Sequence, residues 1–335
     1  MRLRRSDVTG PGWTRARHGR GFTYRDGSGA TASAEVRARI AELAIPPAWR
    51  DVWISPFPNG HVQAVGTDDA GRRQYLYHSR WTEEQDAAKF ARVLGLAPAL
   101  PAFREEVEGL MREPGLGASR VVATALHLLD RGIFRVGGES YAQDNGSFGV
   151  ATLLKSHVVV RGDVVGFSYP AKSGVEFTRD LEDPALARVV RSLRRAGGDS
   201  ERLLVYRDGD RRCEVRAEDV NERFKELVGD EYSVKDLRTW HATVVAAVAF
   251  ARADKPTSQR ERARVVSAVM EDVAEELGNT PAVARKSYVD PRLVEAFEQG
   301  RTVRAALRRA GDGELVSDRV RAIVEPAVVR LLKRG

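Results

Sequence analysis

The sequence almost lacks cysteine, and this excludes two common structural features of proteins. Its 335 residues contain a single cysteine, Cys213. Neither a disulfide within the chain nor a cysteine-based zinc site can therefore form. The six histidines show no HxxxH or HExxH spacing. This usage predicts a protein of a reducing compartment.

Long apolar runs are missing as well. No stretch approaches the roughly 18 residues that a membrane-spanning helix requires. The N-terminus is rich in arginine but lacks the apolar core of a secretory signal. We therefore expect a cytoplasmic protein without a membrane partner.

Positive charge, by contrast, is abundant. The chain has 54 Lys and Arg residues against 47 Asp and Glu residues, which gives a formal net charge of +7. An excess of this kind suits a protein that binds nucleic acid or another polyanion. A GC-rich genome, which favours arginine and alanine, produces the same excess without any such function, so charge alone leaves both interpretations open.

The first 88 residues differ in composition from the rest and hold four of the five tryptophans. Alternating apolar residues predict strands near residues 21–25, 52–55, 61–65 and 74–77. Turn residues at 67–71 predict a hairpin between the last two strands. One helix is expected from about Ser33 to Ala44. Residues 1–88 are thus predicted to form a small antiparallel β-rich domain.

From about Thr82 the apolar period changes to that of helices. Helices are expected near residues 83–94, 101–112, 118–131, 182–195, 217–228, 233–253, 258–277 and 315–333. A β meander interrupts them, with strands near 157–161, 164–169 and 175–178 and Lys172 in the second turn. Residues 89–335 are therefore predicted to form a mainly α-helical domain, and the whole chain an α+β fold.

Residues 71–78, which read GRRQYLYH, form the most distinctive segment of the first domain. Tyr75 and Tyr77 share one side of the predicted strand, whereas Arg72 and Gln74 lie on the other side or in the turn. Interleaved Arg, Gln and Tyr side chains suit contacts with phosphates and base edges. The alternative is an edge strand whose tyrosine face packs inward.

Several polar residues stand at predicted junctions of the second domain. Arg135 follows a helix that ends at Gly132, and Arg238 lies near the start of an apolar helix. Tyr288 lies near the end of a short basic helix, nine residues after Asn279. A phenol is a weak nucleophile at neutral pH, but neighbouring cations favour its attack on an anionic group. Alternatively, Tyr288 is an ordinary packing residue.

Taken together, these motifs resemble those of type IB DNA topoisomerases, in the compact poxvirus-like and bacterial branch. The resemblance extends over both predicted domains, from about residue 20 to residue 291. The matching stretches are residues 45–56, 71–78, 134–137, 145–149, 172, 235–239 and 284–288. It implies a catalytic domain of the fold that these enzymes share with tyrosine recombinases.

The resemblance also implies a chemistry. Tyr288 would attack a DNA phosphodiester, giving a 3′-phosphotyrosine and a free 5′-hydroxyl. Arg135 and Arg238 would stabilise the charge of the transition state, and Lys172 would protonate the leaving oxygen. Asn279 would contact the phosphate at a position where many relatives have histidine. Supercoils of both signs would be relaxed without ATP, a metal ion or any other cofactor.

A clamp around double-stranded DNA is implied too, formed by a monomer associated with the nucleoid. The residues expected to contact DNA are Arg72, Gln74, Tyr75, Tyr77 and Lys235, and a segment near 80–92 would link the two domains. A tyrosine recombinase is the first alternative. It is disfavoured because recombinases typically have HxxR where this chain has Lys235-x-x-Arg238, and their N-terminal domains are usually helical. A non-catalytic DNA-binding protein is the second alternative.

Overall fold

A computed structural model describes residues 2–196, 200–311, 313, 315 and 317–334. The chain divides into two compact units, Met1–Lys89 and Phe90–Gly335, here called unit 1 and unit 2. Among the described residues, no helix is both long enough and apolar enough to cross a membrane.

Unit 1 contains a five-stranded antiparallel sheet with strand order β2-β1-β3-β4-β5. Its strands are β1 (Trp13–His18), β2 (Gly21–Arg25), β3 (Arg50–Ile54), β4 (Val62–Thr67) and β5 (Arg73–Tyr77). Helix α1 (Ala34–Glu42) begins after Ser33, whose side chain accepts a hydrogen bond from the Val36 N–H. This cap satisfies an otherwise unpaired helix donor. The predicted helix and the hairpin between β4 and β5 are thereby confirmed.

Unit 2 is mainly helical. Helix α2 (Ser79–Leu96) begins in unit 1 and ends in unit 2. The other helices are α3 (Leu100–Met111), α4 (Ala118–Asp130), α5 (Glu139–Asn145), α6 (Pro184–Arg195), α7 (Ala217–Val228), α8 (Val234–Arg252), α9 (Gln259–Leu277), α10 (Pro281–Ser287), α11 (Pro291–Glu298), α12 (Arg304–Ala310) and α13 (Asp318–Lys333). Helix α8 is buried on almost every side, as its run of Val and Ala predicts.

Two small antiparallel sheets complete unit 2. The predicted meander is strands β6 (Val158–Arg161), β7 (Val164–Pro170) and β8 (Glu176–Glu182). A hairpin that the sequence analysis did not predict is formed by β9 (Val205–Asp208) and β10 (Arg211–Glu214). Together the two units confirm the α+β class, with a small β-rich N-terminal part and a larger helical part.

Helix α13 is held to the rest of unit 2 by buried charges. Arg104 on α3 pairs with Asp130 at the end of α4 at 2.9 Å and with Glu325 on α13 at 2.8 Å. Arg321 on α13 also binds the Asp130 carboxylate and donates to its backbone carbonyl at 2.9 Å. These four residues, called the α13 charge cluster below, contain two positive and two negative charges.

Candidate active site

Arg238 lies on the buried first half of α8 and joins three parts of unit 2. Its side chain is only 6% exposed. One terminal nitrogen donates to the carbonyls of Gly132 and Ile133, at 3.1 and 2.7 Å. The other terminal nitrogen donates to the carbonyl of Leu277. The guanidinium is therefore fixed between the loop after α4 and the end of α9.

The start of α8 fixes this position. Asp236 is buried and accepts a hydrogen bond from the Ser233 N–H at 2.9 Å, which caps the helix. The same carboxylate pairs with Arg92 at 2.9 Å. Lys235, in the same turn, is exposed. In the Lys-Asp-x-Arg sequence, Asp236 therefore points inward and holds the start of α8 in place, whereas Lys235 points to solvent.

The loop after α4 carries Arg135. Phe134 is buried against Phe167 of the meander, with ring centroids 5.0 Å apart. The Arg135 carbonyl accepts from the Val150 N–H at 2.8 Å. Gly132 has a φ of +77°, and a Cβ there would lie 2.2 Å from Cβ of His241. The loop is thus pinned on both sides of Arg135, whose side chain is half-buried.

Asn279 meets Arg135 at the end of α9. Gly278 ends that helix with a φ of +56°, and the Asn279 N–H donates to the Ala274 carbonyl at 2.8 Å, which is a common way of ending a helix. The Asn279 Oδ1 accepts a hydrogen bond from Arg135 at 2.8 Å. Its Nδ2 is buried and has no hydrogen-bond partner among the described residues. The side-chain amide of Asn279 therefore has an N–H donor, unused among the described residues, beside the Arg135 guanidinium.

Tyr288 completes this group. It follows α10, which begins after Thr280 with Pro281 in its first turn. The ring is half-buried, and its centroid lies 5.4 Å from the guanidinium carbon of Arg238. The Tyr288 carbonyl accepts a hydrogen bond from the Thr243 hydroxyl at 3.3 Å, which ties it to α8.

Positive charge is concentrated here without compensation. Burial and the charge of Arg135 lower the pKa of Arg238 to about 10, whereas a negative charge on Tyr288 would raise it. Neither arginine pairs with any carboxylate among the described residues. A buried cation whose hydrogen-bond partners are all neutral is costly. The arrangement is therefore suited to an anion that binds both guanidinium groups.

Lys172 is not part of this group in the structure. Lys172 is exposed and lies in the short turn Lys172–Gly174 between β7 and β8. No hydrogen bond or ion pair joins its side chain to the other four residues in the described part of the chain. Four of the five predicted catalytic residues thus converge, and the fifth stands on a neighbouring turn of the same unit.

Tyr169, the tyrosine of β7, was not among the residues predicted for the site. It is 2% exposed, and its ring lies 4.9 Å from that of Phe177. Burial raises the pKa of Tyr169, and the charges of Arg135 and Arg238 oppose that rise. Its phenol is therefore within range of the charges of both arginines. In the sequence, the feature that could have identified Tyr169 as a site residue was its position three residues before Lys172, on the inward face of the predicted strand.

His241 lies beside the group rather than in it. It is buried, and its Nε2 is 3.7 Å from the Glu276 carboxylate. Glu276 also pairs with Arg179 of the meander at 3.0 Å. No cluster of three or more His, Cys, Asp or Glu side chains is arranged to hold a metal ion in the described ranges.

The tyrosines predicted to contact DNA lie on β5, at the edge of the sheet of unit 1. Tyr75 and Tyr77 are 40% and 47% exposed, so the interpretation that they pack inward is wrong. Their rings are nearly parallel, with centroids 6.0 Å apart. Gln74 and Arg72 both bind Asp68, at 2.8 and 3.0 Å. Strand β5 therefore exposes Tyr75 and Tyr77, and Asp68 holds the side-chain amide of Gln74 in place.

Comparison with known proteins identifies the family. The family described as "Eukaryotic DNA topoisomerase I, catalytic core" matches residues 78–309, and "Bacterial DNA topoisomerase IB, N-terminal domain" matches residues 21–68. DNA topoisomerase 1B of Acanthamoeba polyphaga mimivirus is 30% identical over 268 residues, covering 78% of this chain and 79% of the relative. DNA topoisomerase 1B of Vaccinia virus (strain Copenhagen) is 22% identical over 239 residues, covering 69% and 71%. The chain therefore belongs to the type IB DNA topoisomerases, which are isomerases that act on DNA.

Proposed function

We propose that this topoisomerase relaxes positive and negative supercoils by cutting and rejoining one DNA strand through Tyr288. The observation that carries the proposal is the convergence of Arg135, Arg238, Asn279 and Tyr288 at one place in unit 2. Among the described residues these two guanidinium groups have no carboxylate partner, and beside an amide donor and a phenol they suit a phosphodiester better than a neutral ligand.

The arginines and the asparagine are proposed to hold the scissile phosphate. Negative charge accumulates on its non-bridging oxygens in the pentacoordinate transition state. Guanidinium groups are permanently charged near neutral pH and offer paired donors with a fixed geometry. The unpaired Nδ2 of Asn279 supplies one more donor. Fixed donors of this kind lower the barrier because they need little rearrangement during the reaction.

The covalent step forms a bond between the Tyr288 oxygen and phosphorus and breaks the bond to the 5′-oxygen. Arg238, beside the ring, stabilises the phenolate as the phenol proton is lost to solvent. Lys172 gives a proton to the leaving 5′-oxygen. Lys172 is exposed and is therefore accessible to bound DNA. Rejoining reverses these steps, and because the phosphotyrosine keeps the bond energy, neither ATP nor a metal ion is needed.

The two units are proposed to grip duplex DNA as a monomeric clamp in the nucleoid of the cytoplasm. Residues 1–88 would form the clamp domain and residues 89–335 the catalytic domain. The exposed Tyr75 and Tyr77 would contact DNA together with Arg72, Gln74 and Lys235. Binding should weaken steeply with salt, since phosphate contacts release counterions.

A plasmid assay tests the proposal. Negatively and positively supercoiled plasmids are incubated with the protein in EDTA without ATP. We expect relaxation of both, and none with Tyr288→Phe. Tyr232→Phe, which removes the same hydroxyl elsewhere in unit 2, is the control and should retain activity. Relaxation by Tyr288→Phe would show that another residue is the nucleophile. Strand exchange between paired sites would favour a recombinase.

A further inference from the structure

The end of α9 carries an acid where a helix end usually favours a base. Glu276 lies in the last turn of α9, and that turn contains no basic residue. Carboxylates near a helix C-terminus are disfavoured, because the unpaired carbonyls there carry partial negative charge. Positions at which a sequence departs from such a local preference are often functional. The stability of α9 alone therefore does not explain Glu276.

Glu276 joins α9 to the meander. Its carboxylate pairs with Arg179 on β8, and the oxygen and nitrogen are 3.0 Å apart. No other hydrogen bond or ion pair connects α9 with β6, β7 or β8 in the described part of the chain. The two side chains are only 37% and 32% exposed, so solvent screens this pair less than a fully exposed one. The neighbouring His241 ring and the charge of Arg179 lower the pKa of Glu276, which is therefore ionised at neutral pH.

Arg179 lies close to the turn that carries Lys172. It is the fourth residue of β8, and that strand begins at Glu176 just after the turn. A strand rises about 3.3 Å per residue, so Arg179 lies about 10 Å from the first residue of β8. Its cross-strand partner is Phe167, whose ring packs on Phe134 beside Arg135. The ion pair therefore fixes the end of the meander that holds Lys172.

Glu276 is also next to the groups that hold Arg238. The following residue, Leu277, accepts a hydrogen bond from Arg238 through its carbonyl. Asn279 follows two residues later. His241, whose Nε2 is 3.7 Å from the Glu276 carboxylate, lies one turn after Arg238 on α8. The pair of Arg179 and Glu276 thus connects the turn of the proposed acid with the helix end that carries the proposed phosphate contacts.

We propose that Glu276 is a positioning residue that, through Arg179, holds the Lys172 turn where the lysine can protonate the leaving 5′-oxygen. A general acid acts only within hydrogen-bond reach of the atom that it protonates, so a small displacement of the turn slows the reaction. Glu276 itself does not contact DNA in this role. The inference rests on the proposed function in that it takes Lys172 as the acid.

The test uses two leaving groups of different acidity. Single-turnover formation of the covalent complex is measured on a duplex with one cleavage site, mapped beforehand with the unaltered enzyme. The bridging atom at the scissile phosphate is either the ordinary 5′-oxygen or a 5′-sulfur. A thiol has a pKa of about 8.5, far below that of an alcohol, so a thiolate leaves without needing a proton. A defect in proton delivery is therefore seen with oxygen and disappears with sulfur.

Four single variants separate the possible roles. Glu276→Gln removes the charge but keeps the shape, and Arg179→Met removes its partner. Glu275→Gln is the matched control, because Glu275 lies in the same turn, is exposed and has no ion pair among the described residues. Lys172→Met reports on the acid itself. Thermal unfolding verifies that each protein is folded.

We expect Glu276→Gln and Arg179→Met each to slow cleavage about tenfold with oxygen and to stay within about twofold of the unaltered enzyme with sulfur. The double variant should be no slower than either single variant, since both substitutions remove the same ion pair. Glu275→Gln should stay within about twofold on both substrates. Lys172→Met should be slowed at least about 100-fold with oxygen and far less with sulfur.

Three results would overturn the inference. Cleavage by Glu276→Gln that is unchanged with oxygen would show that the ion pair has no part in the reaction. Equal slowing with both substrates would assign the pair to folding or phosphate binding instead. Multiplying effects in the double variant would show that the two residues act separately.

Lys172→Met tests the proposed function on its own. If sulfur restores cleavage by Lys172→Met but not by Glu276→Gln, the inference fails and the proposed acid stands. If sulfur does not restore Lys172→Met either, Lys172 is not the acid, and the positioning role fails with it.

Discussion

Replacing Asp130 by asparagine should strongly destabilise unit 2. Asp130 is 8% exposed and binds both Arg104 and Arg321. Burial alone would raise its pKa, but the charges of Arg321 and Arg104 prevail and hold the pKa of Asp130 well below its usual range. Asparagine keeps the shape but leaves the α13 charge cluster with two positive charges and one negative charge.

The expected cost follows from that imbalance. Removing one partner of a buried ion pair costs about 3–5 kcal/mol, because the other charge stays buried without compensation. Whole domains are stable by only about 5–15 kcal/mol. The contribution of Asp130 is fully present above its unfolded pKa of about 3.9 and is lost as pH falls through its lower folded pKa. The difference between wild type and variant should therefore shrink below about pH 4.

Urea unfolding followed by circular dichroism at 222 nm measures this difference, because most helices belong to unit 2. Asp254→Asn is the control, since Asp254 is exposed and has no ion pair among the described residues. Adding Arg321→Met to Asp130→Asn should recover at least about 1 kcal/mol by removing the uncompensated charge. A cost below about 1 kcal/mol at pH 7, or a cost undiminished at pH 3, would refute the reasoning.

Three further changes test the active site and the DNA contacts. Gly132→Ala should lower the free energy of unfolding by more than about 2 kcal/mol, because the new Cβ would overlap His241. Gly300→Ala is the control: its φ is similarly positive but the space around it is open, so it should lower that free energy by about 1 kcal/mol. Urea unfolding measures both. Asn279→Ala should slow single-turnover cleavage about 100-fold, because it removes a donor to the phosphate. Asn279→His keeps an N–H donor and should slow cleavage less, and equal effects of the two variants would argue against a donor role. Alanine at both exposed tyrosines of β5 should weaken duplex binding about tenfold without changing stability, and unchanged binding would place DNA elsewhere.

Local patterns predicted most of the fold because they depend on neighbours in the chain. The apolar run of α8 and the cap at Ser33 are examples, and both are present as expected. The direction of the Tyr75–Tyr77 face could not be predicted, because it depends on whether another layer covers β5. The hairpin β9–β10 was missed since its four-residue strands are mostly charged and lack the alternation that identifies a half-buried strand.

The candidate site was only partly predictable for a related reason. Its residues were recognised from motifs, but the contact between Arg135 and Asn279 joins positions 144 residues apart. No local rule specifies such a pairing. Tyr169 was overlooked because a tyrosine near a strand end is an ordinary feature, and only the folded meander brings it to the arginines. The unpaired charge that marks the site appears only after folding.

The contacts of α13 with the rest of unit 2 determine where this enzyme can be shortened. The match to the catalytic-core family ends at residue 309, before this helix begins. Yet Val320, Val324, Val328 and Leu332 are buried in the same core as α8. A fragment trimmed at residue 309 would expose an apolar surface on the remaining helices and the otherwise buried Arg104–Asp130 ion pair. It should bind hydrophobic dyes and aggregate, so the end of a homology match is a poor guide to where this protein can be cut.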